Sequence, residues 1–413
     1  MYEFHPLAQK SLPLEDYLTM NRVWLFKTSL AWRNLIRNRK RFVAAIAAVT
    51  FAVFLMFSQL GFQNAFLDSS VAYLQILDAD LIVSSQRRNV AIVAQTFDRS
   101  KLYPLEGIPG VATTTPFYIT IGNWKNKQTR KGVPIRVVAF NPSRPALQLD
   151  SVQSTATALQ EEDTLLIDRR SRDEYGFQRL KTGDFGELSN RQFQIVGEFE
   201  IGSDFVSFGN IIMSDLNFLR TFANTPSGSK NELRSTLEDV DLGLIKVTPG
   251  ADIDRVVAQL KTILPIDLSL HTKKAFVQRE KDFFNNSSPI GFIFSLGTLI
   301  GFVVGVVVVY NIIYTDIQDN LPQYATLRAM GYSSFYLLKT IFLQSVIIAL
   351  VGFFPGIISS VLAYKLISNA TGLLLQMKLN VSIVVFALTV GMCVVSGFIA
   401  SRRLLKLDPA EIY

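Results

Sequence analysis

Pro289–Tyr314 reads PIGFIFSLGTLIGFVVGVVVVYNIIY and holds no Asp, Glu, Lys, Arg or His. A helix of this length rises about 39 Å, more than the roughly 30 Å of hydrocarbon in a bilayer. Three further stretches are as apolar and as free of charge: Phe42–Leu67, Ile341–Tyr364 and Leu379–Ala400. Core helices of soluble proteins usually stop well short of these lengths, so the four runs predict four membrane spans. Composition agrees: charged residues are 18% of the 413, below the roughly 25% of soluble domains.

Lys and Arg set the expected orientation. Arg33, Arg37, Arg39, Lys40 and Arg41 precede the first span, and Arg402, Arg403 and Lys406 follow the last. Basic excess stays on the cytoplasmic side, so both termini are expected inside. The 221 residues between the first two spans carry 26 basic and 27 acidic residues, against 15 and 7 in the rest of the chain. The net +7 therefore belongs to the membrane flanks and does not form a nucleic-acid footprint on a folded domain.

The expected organisation follows. Residues 1–41 are cytoplasmic. Val23, Trp24, Phe26, Leu30, Leu35 and Ile36 among basic residues predict an amphipathic helix, lying on the membrane surface or facing a partner. Then come span 42–67, an outer domain over 68–288, span 289–314, an inner loop over 315–340, span 341–364, an outer link over 365–378, span 379–400 and a cytoplasmic tail over 401–413. The first span, behind 41 residues, is expected to be an anchor rather than a cleaved leader. The fold class is thus a four-helix membrane protein with a large α+β periplasmic domain inserted between helices 1 and 2.

β-branched and aromatic runs predict strands at Asp80–Ser84, Phe117–Trp124, Val133–Phe140, Thr164–Asp168, Phe193–Ile201 and Leu242–Val247. Helices are expected at Ser214–Phe222 and Ala251–Leu264. Apolar residues at Phe66, Val71, Leu74 and Leu77, and at Phe276, Val277, Phe283 and Phe284, suggest a two-helix stalk or plain loop ends. The polar stretch Ala223–Glu238 reads as a loop or as the seam between two lobes.

Sites for chemistry are sparse. Cys393 is the sole cysteine, and His5 and His271 are the only histidines, which leaves no metal set. No phosphate-cradling G-x-x-x-x-G-K-[ST] occurs, so ATP has no recognisable site on this chain. The acidic clusters Glu161–Asp163 and Glu238–Asp241 read as solvated loop charge, and His271 stands alone. Charge-free spans argue against an ion-coupled carrier, because intramembrane charges are costly and kept for such work. No catalytic, metal or cofactor-binding residue is therefore assigned.

Two features remain. Gly297, Gly301 and Gly305 recur every four residues on one helix face, which lets another helix approach closely. Inside, Ala325–Met330 favours a short helix that Gly331 would end. A short structured loop joining two spans could serve as a docking element.

That loop carries a resemblance. Asn320–Ser333, with Tyr324-Ala325-Thr326-Leu327-Arg328-Ala329-Met330-Gly331 within it, is similar to the signature loop of FtsX/MacB-type ABC permeases, whose core runs [KR]-A-[MI]-G. Arg402-Arg403 followed by Leu407-Asp408-Pro409-Ala410-Glu411 resembles the family's closing tail. Gly107-Ile108-Pro109-Gly110-Val111, Val247-Thr248-Pro249-Gly250-Ala251-Asp252 and Ser288-Pro289-Ile290-Gly291 also fit, and the order of elements matches end to end. The DevC-like branch, permeases of exporters related to the heterocyst glycolipid system, is most similar. Gln323 departs from the glutamate that many relatives carry there.

The resemblance implies a non-catalytic permease of the inner membrane that dimerises with a second copy. Each copy would bind an ABC ATPase subunit that holds the ATP. Membrane lipids would surround it, and a periplasmic adaptor and outer-membrane channel would complete a tripartite exporter of a lipid-like or amphipathic substrate. ATPase coupling falls to Gln323–Gly331 and cytoplasmic contact to Asp408–Glu411. An FtsX-like regulator of cell-wall hydrolases and a lipoprotein-releasing permease are the alternatives. A receptor is disfavoured, because the inner segments 315–340 and 401–413 are too short for an output domain.

Overall fold

The computed structural model describes residues 30–405 apart from 145, 205–206, 208, 223–224, 227–232, 235–236, 287–288, 372 and 374. The tail residues Asp408–Glu411 and the amphipathic residues Val23, Trp24 and Phe26 lie outside the described residues.

Helices of eight residues or more are α1 (Leu30–Arg37), α2 (Arg39–Ser70), α3 (Asp215–Phe222), α4 (Ile253–Ile263), α5 (Lys273–Asn286), α6 (Pro289–Asp319), α7 (Leu321–Ala329), α8 (Ser334–Thr371) and α9 (Leu379–Leu405). Among the described residues α2, α6, α8 and α9 are long and apolar enough to cross a membrane. The chain divides into two compact units.

In the helical unit α2 is the hub. Ala45, Val49, Ala52, Val53, Met56 and Phe57 on it are all at most 1% exposed. Small residues on its neighbours explain this. A Cβ on Gly297 would meet Gln59, one on Gly301 would touch Met56 and Leu55, and one on Gly305 would press on Ala52 and on Met392 of α9. In α8, Gly352 and Gly356 lie against Val49 and Val53 in the same way. Close backbone approach lets hydroxyls cross-link the helices: Thr50 Oγ1 donates to Gly352 O at 3.2 Å, and Ser396 Oγ to Val306 O at 2.8 Å. The glycine face of α6 thus packs within the chain. Its opposite side leaves Phe292, Leu296, Leu299, Val303 and Val307 exposed.

The second unit is built on nine strands: β1 (Leu81–Ser85), β2 (Val111–Lys125), β3 (Gly132–Phe140), β4 (Thr164–Asp168), β5 (Phe185–Leu188), β6 (Arg191–Phe199), β7 (Asn210–Ser214), β8 (Leu242–Val247) and β9 (Leu268–Thr272). They pair in the order β9-β1-β8-β2-β3-β7-β4-β6-β5, and β5 returns to pair with β2. Six strands therefore close into a ring, β2-β3-β7-β4-β6-β5. The long strand β2 serves two sheets. Its first half pairs antiparallel with β8 (Thr115 opposite Leu244) and its second half with β3 (Thr120 opposite Val137). The two pairings of β2 thus meet at Phe117–Tyr118, inside a strand, while most of the polar stretch Ala223–Glu238 lies outside the described residues.

Both faces of the sheet are covered. Leu81, Val83, Val137, Ala139, Leu165, Ile167, Ile211 and Met213 share one core. The residues alternating with them, Ile82, Val138, Leu166 and Ile212, share another. This is the period-two signature of strands buried on both sides. In the ring, Trp124 Nε1 donates to Tyr175 O at 3.1 Å and its indole meets Phe177 edge-on. A Cβ at Gly186 would lie 2.0 Å from the indole, so that position has no room for a side chain. The β5–β6 hairpin turns through Ser189 and Asn190, both at positive φ, as a two-residue primed turn requires.

The two-helix stalk has a basis within this unit. Phe66 and Phe284 pack edge to face, Lys281 Nζ pairs with Asp68 Oδ1 at 2.7 Å, and Gln63 Nε2 donates to Asn285 Oδ1 at 2.8 Å. The first arm is shorter than the apolar spacing predicts, because α2 ends at Ser70 and Val71–Leu77 forms only one further turn.

Polar residues bind α5 to the sheet and correct two expectations. Asp241 is not solvated: it is fully buried, pairs with Arg88 Nη2 at 2.6 Å and accepts from Ile119 N at 3.0 Å. His271 is not alone: Arg279 Nη1 lies 3.0 Å from its Nε2. Burial and the neighbouring guanidinium hold this imidazole below its usual pKa, so it is neutral and accepts. In the Glu161–Asp163 cluster Arg191 meets Asp163 at 2.5 Å and Glu162 at 3.4 Å, and these carboxylates stay exposed as expected.

Glu280 of α5 is 1% exposed and accepts from Ala91 N. Burial pushes its carboxyl up to about 7, against the opposing pull of that hydrogen bond and of Arg279, Arg88 and Arg136. Because the folded-state pKa is raised, the unfolded chain gives up the proton first. Stability is therefore fullest below the usual glutamate range and falls as pH rises to about 7. The loss is on the order of 3 kcal/mol. Glu280→Gln is expected to flatten this dependence and to raise the melting temperature at pH 8 but not at pH 4.5, read by thermal unfolding of the full chain in detergent.

Candidate functional site: the inner loop and its anchor

The 315–340 segment is mostly helical. α6 runs on to Asp319, α7 covers Leu321–Ala329, and α8 starts at Ser334, so only Asn320 and 330–333 lie between helices. Pro322 stands in the first turn of α7, where its missing N–H costs nothing. At the other end Tyr332 N bonds to Leu327 O at 3.1 Å and Gly331 N to Arg328 O at 3.0 Å. This double bond is the Schellman stop, and Gly331 sits at φ +92, where a side chain would be strained. The Ala-Met-Gly ending is thus a helix terminator with a stated geometry.

The nine residues singled out by sequence split between two faces. Tyr324 and Ala325 are buried at 1% and 2% exposure. Leu327 and Arg328 are half-buried. Gln323, Thr326, Ala329, Met330 and Gly331 are exposed, and the adjoining Tyr332, Phe335 and Tyr336 continue an exposed apolar patch.

The buried face is tied to α1 and to the start of α2. Asn34 Nδ2 donates to the Tyr324 hydroxyl at 3.4 Å. Burial first, and then the Asp316 charge, push the Tyr324 phenol up to about 12, so it remains protonated. Arg37 Nη2 donates to Asn320 Oδ1, and Arg41 pairs with Asp319. Asn320 Nδ2 in turn donates to Asp316 O at 2.8 Å and to its Oδ1 at 3.1 Å. The Arg41–Asp319 pair is partly exposed and adds at most about 1 kcal/mol, so the Asn320 and Tyr324 contacts do most to fix the position of α7.

Asn34, Arg37, Arg41, Asp319 and Asn320 were not among the residues assigned from sequence. Arg37 and Arg41 signalled only orientation, and their partners lie about 280 residues away in the chain. Among the described residues no group of His, Cys, Asp or Glu could hold a metal.

The described residues thus hold four helices long and apolar enough to cross a membrane, a strand-built unit and the capped helix α7. The profile of the MacB-like periplasmic core domain matches residues 42–263, over half the chain, and that of the FtsX-like permease C-terminal domain matches 294–409. The chain belongs to the MacB/FtsX-type family of ABC transporter permeases, which work with ABC ATPase partners. Three solved structures are similar to it. The periplasmic region of MacB from Actinobacillus actinomycetemcomitans is 10% identical, covers 49% of this chain and 92% of its own, and has a TM-score of 0.32. The extracellular domain of the transporter YknZ from Gram-positive bacteria gives 12%, 47%, 99% and 0.31. A permease domain from Porphyromonas gingivalis gives 13%, 48%, 88% and 0.29. No curated protein matches by sequence.

Proposed function

We propose that the chain is the force-transmitting subunit of an ATP-driven exporter. A separate ATPase subunit holds the nucleotide and docks on the exposed face of α7, formed by Gln323, Thr326, Ala329 and Met330. The observation that carries this reading is the two-faced loop: one side is open, and the other is bonded through Tyr324, Asn320 and Asp319 to Asn34, Arg37 and Arg41. A push on the open side displaces α1 and α2 together. α2 is continuous from Arg39 to Ser70, whose far end packs on α5 through Phe66 and Phe284.

The termini and inner loop are cytoplasmic in this reading, the sheet domain is periplasmic and the membrane is the inner one, as the basic flanks indicate. Two copies act together, with an adaptor on the sheet domain and an outer-membrane channel beyond. The DevC-like resemblance supports a lipid-like or amphipathic cargo. The charge-free spans fit force transmission better than a polar conduit.

The test is a cross-link. With the buried Cys393 replaced by serine, Met330→Cys is expected to form an adduct with a cysteine-bearing ATPase subunit, and Ala325→Cys, on the buried face, is not. Equal labelling from both positions would contradict the docking face.

A further inference from the structure

Helix α8 does not stop where its apolar run does. It continues seven residues beyond Tyr364 to Thr371, a rise of about 10 Å. The headgroup layer on one side of a bilayer is about 5–8 Å thick, so the helix end reaches its outer edge. The end of the helix belongs to the same compact unit as the sheet domain, and Ser203 Oγ donates to Thr371 O at 3.4 Å.

Between the last turn of α8 and the segment following β4 lies an open cavity of about 570 Å³. Its walls include Arg170, Arg172, Asp173 and Glu174 on one side and Asn369 and Thr371 on the other. The volume lies within the range of small-ligand sites.

Charges of both signs line the cavity. The neighbouring Arg169 is engaged, bonding Glu198 and the carbonyls of Phe177 and Leu180. Arg170, Asp173 and Glu174, in contrast, are exposed. Among the described residues none of these three forms a salt bridge. The carboxy-terminal end of a long helix adds partial negative charge, which favours a cation. An occupant that satisfies both signs needs an anionic group and an amine a short distance apart.

We propose that this cavity binds the headgroup of a zwitterionic phospholipid. The phosphate lies against Arg170 and Arg172, and the amine against Asp173, Glu174 and the end of α8. Phosphate oxygens suit the guanidinium forks, and the ammonium group suits the carboxylates. The lipid is a resident of the site, not a cargo. The proposal rests on α8 crossing the membrane and is independent of coupling to an ATPase.

The experiment uses the full chain in detergent micelles doped with equal phosphatidylethanolamine and phosphatidylglycerol, the retained lipids being counted by native mass spectrometry. The wild type is expected to keep phosphatidylethanolamine about tenfold over phosphatidylglycerol, a preference of ~1.4 kcal/mol. Asp173→Asn with Glu174→Gln should abolish the preference while phosphatidylglycerol retention holds or rises. Arg170→Ala should lower retention of both. These side chains are exposed, so unchanged melting curves are expected to exclude misfolding. Equal retention of the two lipids by the wild type would overturn the proposal, as would a preference surviving in the acid-free variant. Soluble glycerophosphoethanolamine serves as competitor. It should displace the lipid only weakly, and binding as tight as the lipid's would assign the site to a free phosphorylated amine instead.

Discussion

A chain carrying Ala329→Arg is expected to fold normally yet lose ATP-driven export by about tenfold or more, equivalent to ~1.4 kcal/mol or more of lost docking energy. Ala329 is exposed at the end of α7, one residue before the exposed Met330. A large cation there has no buried partner to disturb within the chain, so stability should stay within about 0.5 kcal/mol of wild type. In a docked complex the same guanidinium must shed water against an apolar contact, which is costly without a matching acid. ATP turnover and export measured together in proteoliposomes check this. Turnover should fall to the level of the ATPase subunit alone. Undiminished export would remove Ala329 from the coupling face. Tyr324→Ala should fail differently, because it leaves the outer face intact but empties the anchor beneath it, so the ATPase still binds and does not drive export.

The second large effect concerns the sheet domain. Arg88→Ala is expected to destabilise it by about 3–5 kcal/mol, because Asp241 is left charged and buried without its partner. For a domain of this size that lowers the melting temperature by on the order of 10 °C. Arg88 also donates to Gln95 O through Nε at 3.2 Å and through Nη2 at 3.1 Å, and to Ala91 O through Nη1. It therefore holds the whole loop against which Glu280 of α5 bonds. Arg88→Lys keeps the charge but cannot hold several acceptors in one plane, so it should recover only part of the loss. Differential scanning fluorimetry of the full chain in detergent, with Arg279→Ala as a less buried comparison, is the check. A shift under ~1 kcal/mol for Arg88→Ala would mean that Asp241 finds water or another partner.

The membrane helices were legible in sequence because their signal is one-dimensional: length without charge. Strands β4 and β8 were legible to the residue, since each is a β-branched or leucine-rich run bounded by turns. Strand β7, Asn-Ile-Ile-Met-Ser at 210–214, was missed. It is buried on both faces and shows no alternation. Strand β9 was missed because Ser269 and His271 dilute its apolar character, and β5 because Gly186 makes room for Trp124. The two pairings of β2 meet inside an uninterrupted strand, where composition shows no change. At the site, the presence of a short helix was readable from Ala325–Met330 and its end from Gly331. Which residues face inward was not, because that depends on contacts between Tyr324 and Asn34 and between Asn320 and Arg37, nearly three hundred residues apart. Asp241 was misread because a local cluster of acids looks solvated until its distant arginine is known.

The relay itself is tested most directly by a distance. A spin label at Lys274→Cys, on the exposed side of α5, reports the separation between two copies by pulsed electron resonance, with the chain assembled with its ATPase in lipid and Cys393 replaced by serine. Trapping the ATPase in its nucleotide-bound state is expected to shift that separation in the wild type and to leave it unmoved in the Ala329→Arg chain. An unchanged separation in a wild-type complex that still exports would contradict the account.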